Sequence, residues 1–185
     1  MATVDQLYSS DLDLNETAYA LYNDDPPPPY TTASSTYAHA KGMIMTNSTH
    51  GFWLVHSKPN WPNPRELGAT IFPDTVYSQS LMCVSFNAST INLIAESLMI
   101  AYPFVYDSYL STEIETSMNF FSEWIDKEKS TATDVASSYS SLDGVEYTYF
   151  VKSKAWNQDL YEDLVAPGLN SDLNVETWRL GSGGR

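Results

Sequence analysis

Short apolar runs separated by turn-forming residues organise most of the chain. These runs predict strands at residues 17–22, 41–46, 52–57, 80–86, 146–152 and 173–178. The turn-rich residues 47–51 join the second and third strands, which predicts a β-hairpin. Pro26 to Pro29 cannot donate to a sheet ladder, so this segment is predicted to be a rigid polyproline II connector.

Helical spacing of apolar residues occurs in three places. It predicts helices at residues 88–100, around residues 118–125 and at residues 158–165, the last closed by Pro167-Gly168. The Ser/Thr-rich residues 130–141 predict a loop. Strands interleaved with helices predict an α/β sandwich, with one domain over residues 1–180 and a linker-like tail at 181–185.

Composition limits the classes of partner. The 185 residues suffice for one compact domain, and no apolar run approaches the roughly 18 residues that a membrane span needs. Nine basic and 23 acidic residues give a net charge of -14. Such a chain repels polyanions unless its few cations are concentrated at one site, and Lys41, Lys58 and Arg65 are the candidates for that role.

The cysteine and glycosylation patterns bear on the compartment. Cys83 is the only cysteine, so it forms no internal disulfide, and its spacing predicts a buried apolar side chain. The first 20 residues show no secretory signal, yet acceptor patterns begin at Asn15, Asn47 and Asn87. These patterns matter only in a secreted chain, which leads to the hypothesis that an N-terminal segment is missing.

The pattern His-x-Lys occurs twice, at His39-Ala40-Lys41 and at His56-Ser57-Lys58. A lysine can hold a phosphate oxygen and lower the pKa of a neighbouring histidine, which keeps a nitrogen free to attack phosphorus. A hairpin turning at the middle of residues 47–51 would place Lys41 opposite His56, and His39 opposite Lys58. From the pattern alone, solvated polar residues beside a hairpin remain the simpler interpretation.

Longer segments around these patterns carry a family resemblance. HAKG at 39–42 and GFWLVHSKPNWP at 51–62 resemble HTKG and GFWLVHSxPxFP of the deoxyribonuclease II family. Further segments resemble that family in its own order: ALYNDDPPPP at 20–29, YSQSLMCVSF at 77–86, AYPFVYDSYL at 101–110, and the region 150–178.

The resemblance implies a phospholipase D-like α/β sandwich with a mixed sheet, in which two halves of a pseudo-dimer each supply one His-x-Lys to a shared site. His39 and Lys41 match the first motif, and His56 matches a histidine implicated in activity. Lys58 falls where relatives commonly have a non-basic residue. The second motif, typically HSKW, would belong to a C-terminal half beyond this sequence, and the usual disulfide partner of Cys83 to an N-terminal stretch that is absent here.

The implied activity is that of a metal-independent acid endonuclease without a cofactor, which cuts DNA through a phosphohistidine and leaves 3′-phosphate ends. His39 would be nucleophile or acid/base, Lys41 the phosphate clamp and His56 a supporting donor. The implied location is lysosomal or secreted. Alternatives are a catalytically inactive secreted relative that acts as a binding protein, and a homodimer that supplies two copies of His39 and Lys41.

Overall fold

The structure is a computed structural model that describes residues 2–69, 72 and 76–176. Its strands are β1 (Ala18–Asn23), β2 (Lys41–Thr46), β3 (His50–His56), β4 (Leu81–Asn87), β5 (Val105–Leu110), β6 (Asp134–Ser140) and β7 (Glu146–Lys152). Its α-helices are α1 (Ala2–Asp5), α2 (Ala88–Ala101), α3 (Asn119–Ile125) and α4 (Ala166–Leu169). A π-helix covers Leu160–Val165, and 3-10 turns cover Gln6–Tyr8, Leu14–Glu16, Arg65–Leu67, Glu115–Ser117 and Lys154–Trp156.

Five strands form the main sheet in the order β4-β3-β2-β1-β5, and β6 pairs with β7 in a second sheet. Every pair of neighbouring strands is antiparallel, and the parallel contact between Ala38 and Pro103 is an isolated bridge. The two sheets occur together with helices α2 and α3, which confirms the α/β class. The described strands are antiparallel throughout rather than mixed, because short turns join neighbours such as β2 and β3.

Apolar residues cover both faces of the main sheet, so its central strands β1 and β2 are buried along their whole length. One face packs against α2 and α3 through the fully buried Ile44, Ile91, Ile94 and Phe121. The other face packs Leu21, Met43 and Leu54 against the N-terminal segment around Leu7 and against Trp61. The sequence explains this layering. Helix α2 carries an apolar stripe at helical spacing, which faces the sheet, and the central strands are continuous apolar runs that need cover on both sides.

The predicted hairpin is confirmed. Residues Gly42 and Thr46 of β2 pair with Val55 and Gly51 of β3. Continued by one residue, this register places Lys41 opposite His56, as predicted. The prediction that His39 continues the strand is wrong, because β2 begins at Lys41 and the His39 side chain is 89% exposed.

Three other predictions about secondary structure are wrong. Residues 130–141 contain β6, which forms a complete antiparallel ladder with β7. It buries Tyr139 on one face and exposes Ser138 and Ser140 on the other, as on a half-solvated strand. The helix predicted at 158–165 is present over Leu160–Val165, but its predicted end is wrong. Pro167 and Gly168 do not close it; they lie in α4, where Pro167 occupies the first turn and proline is tolerated. Residues 173–176 form no strand; residues 177–178 and the tail at 181–185 lie outside the described residues.

Cys83 is exposed rather than buried. It lies on the edge strand β4, and its side chain is on the opposite face from the buried Val84 and Phe86. Helices α2 and α3 confirm the other two helix predictions. Strand β5 was not predicted. None of the helices in the described ranges is long and apolar enough to cross a bilayer.

Candidate active site

The candidate residues meet at one end of the sheet, where three neighbouring strands begin or end. Strand β1 ends at Asn23, β2 begins at Lys41 and β3 ends at His56. Asn23 pairs directly with Lys41, and the β2–β3 register brings His56 opposite Lys41. Residues opposite one another on antiparallel strands point to the same face, so the Lys41 and His56 side chains share one face of the sheet.

A carboxylate connects the first His-x-Lys pair. Asp24 follows β1 directly, and its Oδ2 lies 2.7 Å from Nδ1 of His39. Its Oδ1 accepts a hydrogen bond from Nζ of Lys41. Asp24 thus holds His39 beside Lys41 although His39 lies outside the strand. The contact occupies Nδ1 and leaves Nε2 as the ring nitrogen available for chemistry.

Asp24 was not predicted as a site residue. The sequence signal was the pair Asp24-Asp25 after the predicted strand at 17–22, which was interpreted only as a strand end. Recognising the site required the knowledge that β1 neighbours β2, because this pairing brings Asp24 beside Lys41.

His56 is a buried histidine in a defined tautomer. Its side chain packs edge-on against Trp61, with ring centroids 5.0 Å apart, and the residue is 5% exposed. The Lys58 backbone N–H donates to Nδ1 at 3.2 Å, so the neutral ring carries its proton on Nε2. Nε2 is buried and has no hydrogen-bond partner among the described residues. A buried donor without a partner is costly, and an anion would satisfy it.

The electrostatics of the site keep His56 neutral. Burial, reinforced by the positive charge of Lys41, lowers the pKa of His56 to about 4. An imidazole with this pKa is uncharged at about pH 5. His56 therefore offers an Nε2–H hydrogen-bond donor in mildly acidic solution.

Lys41, Lys58 and Arg65 were the cations expected to concentrate at one site, but they do not all lie at the candidate active site. Lys58 is buried, and its Nζ lies 6.0 Å from the centre of the Phe72 ring. The predicted pairing of Lys58 with His39 does not form, because both lie outside the strands. Arg65 donates through Nε to the Leu7 carbonyl oxygen at 3.1 Å and is committed to that contact instead.

A cavity of about 440 Å³ adjoins these residues. It lies between the α2-facing side of the main sheet and the β6–β7 sheet. His39, Lys41 and His56 border it where the strands end, although the Lys41 and His56 side chains belong to the face that packs against Trp61. No aspartate or glutamate is among its lining residues in the part of the chain that the structure describes. Nor do three or more His, Cys, Asp or Glu side chains gather as a metal site within the described ranges.

Comparisons with known proteins define the family. The family model for deoxyribonuclease II matches residues 1–184. Over 153 residues the chain is 35% identical to Deoxyribonuclease-2 of Caenorhabditis elegans, covering 82% of this chain and 40% of that protein. It is 32% identical to Deoxyribonuclease-2-alpha of Sus scrofa, covering 91% of this chain and 48% of the relative. It is also 32% identical to Plancitoxin-1 of Acanthaster planci, covering 99% and 51% respectively.

A chain with an α/β fold and a cluster of histidine and lysine side chains fits a phosphate-handling protein. The family match makes this specific: the chain belongs to the deoxyribonuclease II family. It spans about half the length of the curated relatives that it matches.

Proposed function

We propose that this chain carries one His-x-Lys half of a deoxyribonuclease II-type active site, which hydrolyses DNA phosphodiesters at acid pH without a metal ion. The observation that carries the proposal is the Asp24-linked pair of His39 and Lys41 beside the unpartnered Nε2 of His56. Family membership supports DNA as the substrate.

In the proposed reaction, Nε2 of one histidine attacks phosphorus, a P–N bond forms and the bond from phosphorus to the 5′ oxygen breaks. A second histidine donates its proton to that leaving oxygen. Water then attacks the phosphohistidine and gives its proton back to the second histidine, and the P–N bond breaks. The upstream strand is released with a 3′-phosphate.

The residues divide these tasks according to their contacts. His39 is the nucleophile or the acid/base, because Asp24 engages Nδ1 and leaves Nε2 available. Lys41 clamps the phosphate, and the neutral His56 donates Nε2–H to a phosphoryl oxygen. Asp24 is a positioning residue, since it touches His39 and Lys41 rather than the substrate.

The second histidine of the mechanism needs a source. We propose that it comes from a C-terminal half related to this one, as the pseudo-dimer expectation implies, or from a second copy of the chain. The size of the relatives supports the first source, because this chain covers about half of them. A homodimer would place two copies of His39 and Lys41 at one site.

The proposed setting is a lysosome or secreted fluid. His56 is neutral at about pH 5, so its Nε2–H donor is retained in an acidic compartment. The acceptor residues Asn15 and Asn87 are exposed and Asn47 lies partly exposed in the β2–β3 turn, so all three are compatible with a glycoprotein.

The test is plasmid nicking by the purified chain at about pH 5 in excess EDTA. The three histidines of the sequence provide a matched set, because His50 is exposed and lies at the opposite end of β3 from His56. If a second copy of the chain supplies the second histidine, the chain alone should nick; if a C-terminal half supplies it, nicking should need a separately produced C-terminal half from a relative. In either case we expect His39→Ala to abolish the nicking and His50→Ala to preserve it. Polymerase extension of the nicks should require prior phosphatase treatment, which reports a 3′-phosphate.

The alternative is an inactive relative that binds nucleic acid. The ion pair between Lys41 and Asp24 favours it, because the carboxylate offsets the positive charge that a phosphate clamp supplies. A folded chain that binds DNA but leaves plasmid intact, even when mixed with a separately produced C-terminal half from a relative, would support this alternative over the enzyme.

A further inference from the structure

Asn23 is a fully buried amide at the end of β1, and the proposed mechanism gives it no task. It pairs with Lys41 of β2, which lies opposite His56 of β3, so the three side chains share one face of the sheet. Burial of an amide is costly unless its donors and its acceptor find hydrogen-bond partners. The partners of Asn23 therefore show what this residue holds in place.

The Nδ2 group of Asn23 holds the segment that follows β3. It donates to the Lys58 carbonyl oxygen at 3.2 Å and to the Trp61 carbonyl oxygen at 3.0 Å. The same two residues contact the His56 ring: the Lys58 N–H donates to Nδ1, and the Trp61 ring packs edge-on against the imidazole. Asn23 thus anchors both the residue that sets the His56 tautomer and the residue that sets the orientation of its ring.

The Oδ1 atom of Asn23 holds the turn that follows β1. It accepts a hydrogen bond from the Asp25 backbone N–H at 2.8 Å, which closes a turn around Asp24. Asp24 contacts both His39 and Lys41. The carboxylate that holds the first His-x-Lys pair therefore projects from a turn that Asn23 closes.

A second connection joins the same two segments of the chain. The Asn60 backbone N–H donates to the Asp25 carbonyl oxygen at 2.8 Å, and Asn60 Nδ2 donates to Asp25 Oδ2 at 3.2 Å. Water can replace the side-chain contact of the exposed Asn60, but it cannot replace those of the fully buried Asn23. The turn after β1 and the segment after β3 therefore form one unit, in which the contacts of Asn23 are the least replaceable.

We propose that Asn23 is a positioning residue that couples the two parts of the candidate site. Through Nδ2 it fixes the ring of His56, and through Oδ1 it fixes the turn from which Asp24 holds the first His-x-Lys pair. The inference rests on the proposed function for the reaction that this site performs. An asparagine amide fits the position, because it supplies two N–H donors for two carbonyl oxygens and one acceptor for one N–H. An aliphatic side chain of similar size would leave all three partners without it.

The test is nitrogen-detected NMR of ¹⁵N-histidine-labelled protein at about pH 7.5 without DNA, combined with nicking kinetics. In the wild type we expect His56 to be one tautomer, with its proton on Nε2. Asn23→Ala should release the Lys58 N–H from Nδ1, so the fraction of this tautomer should fall from nearly all to about half. The His39 signals should move as well, because Asp24 loses its fixed turn.

Asn92 provides the matched control. It is also a buried asparagine that bridges two segments, since Nδ2 donates to Asn119 Oδ1 at 3.1 Å and Oδ1 accepts from the Phe121 N–H at 3.0 Å. Asn92→Ala should lower the free energy of unfolding in urea but leave the His39 and His56 signals unchanged.

Kinetics separate positioning from substrate binding. In the arrangement that nicks plasmid, Asn23→Ala should lower kcat about tenfold and change KM less than about twofold, because Asn23 does not touch the substrate. If Asn23→Ala does not fold by circular dichroism, Asn23→Asp serves. It keeps the acceptor oxygen for Asp25 and offers at most one donor, so it should disturb the His56 signals and spare those of His39. Unchanged His56 signals in Asn23→Asp would overturn the inference.

A folded Asn23→Ala whose His39 and His56 signals match those of the wild type would also overturn it, as would equal displacement of these signals by Asn92→Ala. Displaced signals with an unchanged kcat would overturn it too, since Asn23 would then support the structure and not the reaction. These outcomes differ from failure of the proposed function. Displaced signals in a protein that nicks plasmid in neither arrangement support the coupling alone, and nicking with undisplaced signals supports the function alone.

Discussion

Acid should destabilise this fold through His56 in particular. Burial, reinforced by Lys41, lowers the pKa of His56 to about 4, from an ordinary value of 6.5 that the unfolded chain should retain. Between these two values the unfolded chain binds a proton that the native chain does not. The free energy of unfolding therefore decreases as pH falls from 6.5 to 4.

The magnitude follows from the size of the pKa shift. The two values differ by about 2.5 units, and at about 1.4 kcal/mol per unit the full loss is roughly 3 kcal/mol near pH 4. At pH 5 the loss is about 2 kcal/mol, because most of the titration of the unfolded chain is complete there. This is a large fraction of the stability of an ordinary domain.

Urea unfolding at pH 7.5, 6.5, 5.5 and 5 measures this loss. His56→Asn removes the titrating ring, and its side-chain oxygen can still accept the Lys58 N–H that His56 accepts through Nδ1. We expect the variant to lose about 2 kcal/mol less than the wild type between pH 7.5 and 5. His50→Asn, at an exposed position, should follow the wild type, because both keep His56.

Identical pH dependence of His56→Asn and wild type would refute the reasoning, since it would mean that His56 titrates alike in both states. The carboxylates do not confound the comparison, because they are common to all three proteins. If the difference appears, the same result shows that His56 is uncharged at about pH 5, as its proposed role as a hydrogen-bond donor requires.

Other consequences of the structure can be checked separately. Asp24→Asn should lower the nicking rate about a hundredfold by releasing His39, while the exposed Asp172→Asn should leave it unchanged; equal rates for Asp24→Asn and wild type would show that the contact is dispensable. Ile94→Ala, at a fully buried position of α2, should cost about 3 kcal/mol in urea unfolding, whereas Leu93→Ala, 42% exposed on the same helix, should cost under about 1 kcal/mol. Similar losses for these two variants would contradict the packing of α2 against the sheet.

The sequence predicted the parts of the fold that local patterning determines. The apolar runs and the turn between them predicted the β2–β3 hairpin. The register that sets Lys41 opposite His56 followed only from assuming a turn at the middle of residues 47–51. Helix α2 followed from the spacing of its buried residues. Strand β6 was missed because its three serines, preceded by a Ser/Thr-rich stretch, resemble a loop, and only pairing with β7 makes it a strand.

The candidate site likewise combines residues that the sequence identified with one that only the fold revealed. His39, Lys41 and His56 were identified through the family resemblance, whereas Asp24 depends on the pairing of β1 with β2. The expectation that His39 extends the strand failed because residues before Lys41 turn away from the sheet, where Ala38 bridges to Pro103. The cavity of about 440 Å³ joins Trp53 to Tyr149, which are 96 positions apart, so no local pattern could have revealed it.

The central claim is that the candidate site of this chain receives a phosphodiester at His39 and His56. Nitrogen-detected NMR of ¹⁵N-histidine-labelled protein tests it directly, because the chain has three imidazoles that alanine variants can assign. At about pH 5 in EDTA, addition of a thymidine dinucleotide should shift the His39 and His56 signals along one binding curve and leave His50 unchanged. Binding that leaves the His39 and His56 signals unmoved, or a His56 that is already protonated before the dinucleotide is added, would contradict the account.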